Sequence, residues 1–225
     1  MSEPVRIVAV ADTHLYVDKL AEVPDGDLFI HAGDLLQSGS LEELRASLDW
    51  LRELPHEQKI LVAGNHDGCL ENDRQEAQAA LADIGVRYVE DEEVSLCGLR
   101  IWGSPWQPSY GDSGFYLPPG QALVDVRGAI PEELDLLVTH SPPRGLGDRN
   151  AKGRREGCDE LALRVRLVRP RLHLFGHIHH DGGLWVDHDT CFANVTTWNC
   201  GRAATVIDLP SSGRAKPVQV PPPGV

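Results

Sequence analysis

Five apolar stretches of this chain each run into a polar tip built from metal-ligating residue types. "VRIVAVADTH" reaches Asp12 and His14, and "DLFIHAGD" reaches Asp34. "KILVAGNHDG" carries Asn65, His66 and Asp67, "LDLLVTHSPP" carries His140, and "RLHLFGHIHH" carries His177 and His179. Carboxylate oxygen, amide oxygen and imidazole nitrogen suit manganese, iron or zinc, and the absence of ligand-spaced cysteines argues against a structural zinc site. A mononuclear catalytic site uses three or four protein ligands, whereas seven of these residues are plausible ligands, enough for two ions. Each fragment alone has an ordinary explanation, since Gly33-Asp34 or "GNHDG" could simply turn the chain. The ordered set is what stands out.

The elements that must position these tips are legible from hydrophobic pattern. The stretches are β-branched and apolar, as buried strands are. Helical segments separate several of them. "SLEELRASLDWLREL" opens with Ser40 and Glu43 in a capping-box pattern, and Leu41, Leu44, Leu48 and Leu51 recur at helical spacing. "DRQEAQAALADIG" has Asp73 to cap it and Gly85 to stop it, and Pro170 stops "DELALRVRLVRP". "EVSLCGLRIWG" reads as a hairpin turning at Cys97 and Gly98. The chain is βα-rich at first and β-rich after residue 170, which predicts an α/β (α+β) fold with a mixed sheet or two packed sheets and helices outside. Ligands of α/β proteins gather at the carboxyl ends of strands, so the five tips are expected to converge. In the last stretch, His177 and His179 are expected to face one side of an extended segment, with His173 packed and His180 toward solvent. His31 reads as packed behind the site, and His56 and His188 as surface residues.

The ordered set D-x-H, GD, GNHD, strand-ending TH and GHxH resembles the calcineurin-like metallophosphoesterase superfamily over nearly the whole chain, from Asp12 to His179. Local strings such as "GSPWQPSYGD", "THSPPRGLGDR" and "FANVTTWN" resemble its subgroup of metallophosphoesterase-domain-containing brain proteins and their bacterial relatives. The resemblance implies a four-layer αββα sandwich of two mixed sheets flanked by helices, and two divalent ions per chain. Asp12, His14 and His179 would hold one ion, Asn65, His140 and His177 the other, and Asp34 would bridge them. His66 would contact the phosphate and assist the leaving group, with Asp67 orienting it.

Charge supports that assignment. Two divalent ions, two carboxylates and one hydroxide leave a site of about +1, suited to an anionic phosphodiester. The function expected is hydrolysis of a small phosphodiester, a nucleotide or cyclic nucleotide, by in-line attack of metal-activated water. "GDLLQSG" and "GNHD" depart from the protein-phosphatase strings "GDxVDRG" and "GNHE". The alternative is a metal-dependent nucleotide-binding or scaffold protein with vestigial catalysis.

Composition bounds the rest. The 225 residues suit one domain over 1–209, followed by a Pro/Gly-rich extended or mobile tail at 210–225. A net charge of −13 argues against an extended nucleic-acid footprint. No apolar run is long enough for a membrane span. Five scattered cysteines and no visible leader point to a reducing cytoplasm. Arg144 and Arg149 are candidate phosphate contacts, Arg154 and Arg155 read as solvated loop, and Trp106 and Tyr110 are candidate stacking surfaces.

Overall fold

The computed structural model describes residues 3–108 and 114–222. In chain order the strands are β1 (Val5–Val10), β2 (Leu28–Ala32), β3 (Gln58–Val62), β4 (Val86–Tyr88), β5 (Glu92–Leu96), β6 (Leu99–Ser104) and β7 (Gln107–Pro108). They continue with β8 (Tyr116–Leu117), β9 (Leu136–Thr139), β10 (Leu172–Phe175), β11 (Gly183–Asp187), β12 (Thr190–Asn194), β13 (Thr205–Leu209) and β14 (Lys216–Gln219). The helices are α1 (Leu41–Glu53), α2 (Cys69–Asn72), α3 (Arg74–Ala82), α4 (Gln121–Gly128) and α5 (Asp159–Val168).

Two mixed sheets form, ordered β14-β13-β1-β2-β3-β4 and β11-β12-β10-β9-β6-β5. Strands β1 to β4 are mutually parallel, as are β12, β10, β9 and β6, and the antiparallel pairings lie toward the edges, through β13 and β14 in the first sheet and β11 and β5 in the second. The apolar runs lack alternation because both faces of each sheet are covered. Ile7, Ile30, Ile60, Ile101, Val138 and Leu174 meet between the sheets. On the outer face of the first sheet, Val8, Phe29 and Leu61 pack against Leu44 and Leu51 of α1 and Ala77 and Leu81 of α3. On that of the second, Leu137 and Phe192 pack against Leu123 of α4 and Leu161 and Val165 of α5. The four layers are therefore helix, sheet, sheet, helix.

Local signals hold with two adjustments. Ser40 Oγ caps α1 by accepting from Glu43 N–H, but the Glu43 carboxylate reaches past Ser40 to the amides of Gln37, Ser38 and Gly39. It thereby fixes the turn after Asp34, a placement that the capping-box pattern does not predict. The β5–β6 hairpin turns at Cys97 (φ 51°) and Gly98 (φ 75°), the left-handed pair of a tight two-residue turn. Asp73 sits at the start of α3 without a side-chain cap. The 210–222 segment is extended but docked: β14 pairs antiparallel with β13 and continues the first sheet past residue 209. His56 is buried against Phe29 (ring centroids 5.4 Å apart), correcting its reading as a surface residue. Among the described residues no helix is long and apolar enough to cross a membrane.

Candidate metal centre

The parallel strands deliver the tips to one end of the sandwich, and the two sheets contribute separate halves. Asp12, His14, Asp34 and Asn65 follow β1, β2 and β3 of the first sheet, while His140, His177 and His179 follow β9 and β10 of the second. Ligand atoms of Asp12, His14 and His179 lie within 4.8 Å of one another, and so do those of Asp34, His140 and His177. A third group, His14, Asp34 and His66, meets the same limit and joins the first two. Asp34 Oδ2 is 3.8 Å from His14 Nε2 and 3.2 Å from His140 Nε2, facing both halves at once. Asn65 follows β3 at the same end, and its amide oxygen accepts from Gln107 Nε2 at 3.2 Å.

The donor set fits a divalent cation. His14 Nδ1 lies 3.0 Å from Leu36 O and His140 Nδ1 2.9 Å from Ala32 O, which turns each Nε2 toward the cluster. Carbonyl-held imidazoles with outward Nε2 are the usual arrangement behind a metal. His140 Nε2 is buried without a hydrogen bond of its own, its approach to Asp34 being close but poorly directed. Asp12 accepts from His177 N–H of the other sheet, and Asp34 Oδ1 accepts from His66 N–H of the neighbouring strand tip at 2.8 Å, so each carboxylate is fixed from another strand tip.

The backbone pays for this convergence in strain. Asp12 (φ 56°), His14 (44°), Asp34 (58°) and His177 (67°) all adopt the left-handed region, which non-glycine residues disfavour. His177 therefore leaves the strand rather than extending it, and His179 opens a 3-10 turn at His179–Asp181. The expectation of two histidines on one side of an extended segment is corrected; a turn, not strand alternation, aims them. His180 is exposed, lying 4.5 Å from the Trp198 ring, while His173 is buried with Nε2 2.9 Å from Thr139 Oγ1. His31 is likewise buried behind the site, 2.9 Å from Thr13 Oγ1.

Asp67 does not orient His66. Its carboxylate accepts from the amides of Asp34 (2.9 Å), Gly64 (2.8 Å) and Leu36 (3.0 Å), which ties the turn after β2 to the turn after β3. It is a positioning residue for Asp34 and, through Leu36 O, for His14. His66 is held instead by the Gln37 carbonyl, 2.6 Å from its Nδ1, and its ring stands edge-on to His14 at 4.8 Å.

Close packing leaves no room for side chains on the intervening glycines. A Cβ on Gly64 would lie 2.2 Å from Asp34 Oδ1 and 2.7 Å from His140 Cε1. Gly64→Ala is expected to displace Asp34 and weaken metal binding by at least the roughly 10–100-fold seen when a supporting contact is lost; titration of the purified variant with Mn²⁺ checks this.

Electrostatics pair the carboxylates with the imidazoles. Burial alone would raise Asp12, but His179 outweighs it and holds the carboxyl at about 2. Asp34 is driven well below its ordinary value, His140 prevailing over burial. Reciprocally, burial would lower His140, yet Asp34 raises it to about 9. The metal-free protein at pH 7 is therefore expected to carry a proton on His140, whereas coordination needs the neutral ring. An ion entering beside Asp34 is expected to release about one proton, and its affinity to rise about tenfold per pH unit until pH reaches about 9. Calorimetry in buffers of different ionisation enthalpy measures that release; none at pH 7 would contradict a protonated His140.

Beside His177 opens a cleft of about 500 Å³ lined by Pro108, Tyr116, Arg144, Arg155 and Asp159, among others. Arg144 lines it, 3.6 Å from Asp159. Arg149 is exposed and is not among the lining residues. Arg155 lines the cleft instead; it is exposed, as its reading as solvated loop has it, but is held at 2.5 Å by the buried Asp148. Trp106 donates to Asp91 at 2.7 Å and packs on Phe115, and among the described residues Tyr116 is the tyrosine that lines the cleft. Tyr110 lies outside the described residues.

A two-sheet sandwich with clustered aspartates and histidines at the carboxyl ends of its parallel strands defines a metallophosphoesterase fold with a candidate metal-binding centre. The calcineurin-like phosphoesterase family profile matches residues 5–181, and the chain belongs to that family. It is 38% identical over 235 residues to human metallophosphoesterase domain-containing protein 1, covering 92% of this chain and 71% of that protein. Among solved structures, TT1561 of Thermus thermophilus superposes with a TM-score of 0.60 at 16% identity, over 96% of this chain and 100% of the other. Phosphopantetheinyl hydrolase from Mycobacterium tuberculosis gives 0.59 at 18% identity, over 88% and 91%. At such identities the likeness is one of fold. Family and cluster together support a metal-binding hydrolase of phosphoric esters.

Proposed function

We propose that the protein is a dinuclear metal-dependent phosphodiesterase that hydrolyses a small phosphodiester, a nucleotide or cyclic nucleotide. The observation that carries this reading is Asp34 Oδ2, set between His14 and His140 so that one carboxylate serves two ligand groups. Bound divalent ions, with Mn, Fe or Zn suited to these donors, would lower the pKa of water and stabilise charge on phosphoryl oxygens. The chain's own residues do the rest. Asp12, His14 and His179 hold one position, and Asn65, His140 and His177 the other. His66, fixed through Nδ1 by Gln37, presents Nε2 as the proton donor to the departing oxygen. Arg144 and Arg155 offer guanidinium forks to a substrate oxygen beyond the reacting phosphate, and Tyr116 and Pro108 an apolar wall.

The test is hydrolysis of bis-p-nitrophenyl phosphate and a panel of cyclic nucleotides by Mn²⁺-reconstituted protein, with Asp34→Ala as control. Release by the wild type alone supports the reading. Background release from both, with nucleotide binding retained, would favour a binding or scaffold role.

A further inference from the structure

Arg202 is buried, 7% exposed, and among the described residues no carboxylate pairs with its guanidinium. Its donors go instead to three backbone carbonyls: Nη1 to Thr196 at 2.7 Å, Nη2 to Pro221 at 2.6 Å and Nε to Pro222 at 2.6 Å. The fork therefore ties the docked C-terminal segment to the 196–201 turn. A third segment meets it: a Cβ on Gly182 would lie 1.7 Å from Nη1 and 2.4 Å from the central carbon, so the guanidinium rests against Gly182. Gly182 directly follows the 3-10 turn that carries His179.

The 196–201 turn is itself strained and attached to the first ligand. Trp198, Asn199 and Cys200 adopt φ of 48°, 53° and 62°, three consecutive non-glycine residues in the left-handed region. Such a run persists only where surrounding contacts over-determine it. Those contacts lead to β1: Thr197 N–H donates to Ala11 O, Thr197 Oγ1 lies 2.9 Å from Ala11 O and 3.2 Å from Asp12 O, and Asn199 N–H donates to Asp12 O at 3.0 Å. The turn thus holds the backbone of Asp12 from one side while Arg202 presses on the His179 turn from the other.

We infer that Arg202 is a positioning residue for the ligand group Asp12, His14 and His179, acting as a clamp that uses the carbonyls of Pro221 and Pro222 as its outer anchor. The inference rests on the dinuclear reading above. It explains why the Pro/Gly-rich end of the chain is docked: prolines have no N–H to enter a ladder, but their carbonyls are free to accept. It also bears unequally on the two ligand groups, reaching the second only through the His177 amide that donates to Asp12. The clamp touches the turns bearing Asp12 and His179, whereas Asp34 and His140 are held by Asp67, Ala32 and each other.

Two full-length variants test this. Arg202→Lys keeps the charge and removes the planar fork. Gly182→Ala has a backbone that accepts alanine, and its Cβ displaces only the flexible end of the arginine, so the fold is retained while the clamp opens. Mn²⁺ is titrated calorimetrically into each, the two binding events being assigned with His14→Ala and His140→Ala. Thermal melts of the metal-free proteins run alongside. The expected result is about tenfold weaker binding at the Asp12 group in both variants, with the Asp34–His140 event within about twofold of wild type. Unchanged binding at both groups, or equal weakening at both, would overturn the clamp. If Arg202→Lys fails to fold, Gly182→Ala decides alone. Wild type that binds a single ion would instead sink the dinuclear reading, and that outcome is visible before any variant is compared.

Discussion

Asp34→Ala is expected to reduce phosphodiester hydrolysis to background and to lower metal content at both ligand groups. One side chain produces this double loss because Oδ2 stands between His14 and His140 while Oδ1 receives the His66 amide. Without the carboxylate, Asp12 is the remaining anion among the ligands, and the charge that balances incoming cations is halved. The fall should exceed the roughly 10²–10³-fold that removal of a single preorganised electrostatic contact costs an enzyme. Metal analysis after reconstitution checks the structural half of this expectation and turnover the chemical half. Asp34→Ala protein that retained two ions would show that the ligand groups are independent and that the carboxylate is not shared.

His66→Ala should do the reverse, keeping metal and losing turnover. Acid assistance of this kind is worth about 10²–10⁴-fold. The size should depend on the substrate: p-nitrophenolate leaves without a proton, so bis-p-nitrophenyl phosphate should lose little, whereas an alkoxide-leaving nucleotide diester should lose the full amount. That split distinguishes a proton donor from a ligand. His66 lies in the group with His14 and Asp34, near enough to coordinate. Release of metal from His66→Ala, with equal losses on both substrates, would reassign it as a ligand.

How much of this was legible beforehand follows from what kind of contact each residue makes. The strand tips were legible because a doubly covered parallel sheet requires unbroken apolar runs, and each run ends where polar residues begin at the carboxyl edge. His173 and His31 were separable from the ligands for the same reason, as they fall inside the runs. Asp67 was misread because its partners, the amides of Asp34 and Leu36, lie on another loop and leave no trace in local spacing. The His177–His179 turn was misread because strand alternation was carried past Gly176, where the backbone changes sign of φ. Arg155 and Arg202 were invisible as functional positions, since their roles depend on Asp148 being buried and on prolines folding back from residues 221 and 222.

The division of ligands between the two sheets makes their separation a chemical variable. Asp12, His14 and Asp34 ride on one slab and His140, His177 and His179 on the other, and the distance between slabs is set by side chains such as Ile60, Ile101 and Leu174. Shaving a methylene from that filling, far from any charged group, would let the slabs settle closer and alter the bite offered to a cation. Conversely, a cation gripping both slabs would act as a rivet at their open end, raising the temperature at which they part. Ion selectivity and resistance to heat are in this sense two readings of one spacing.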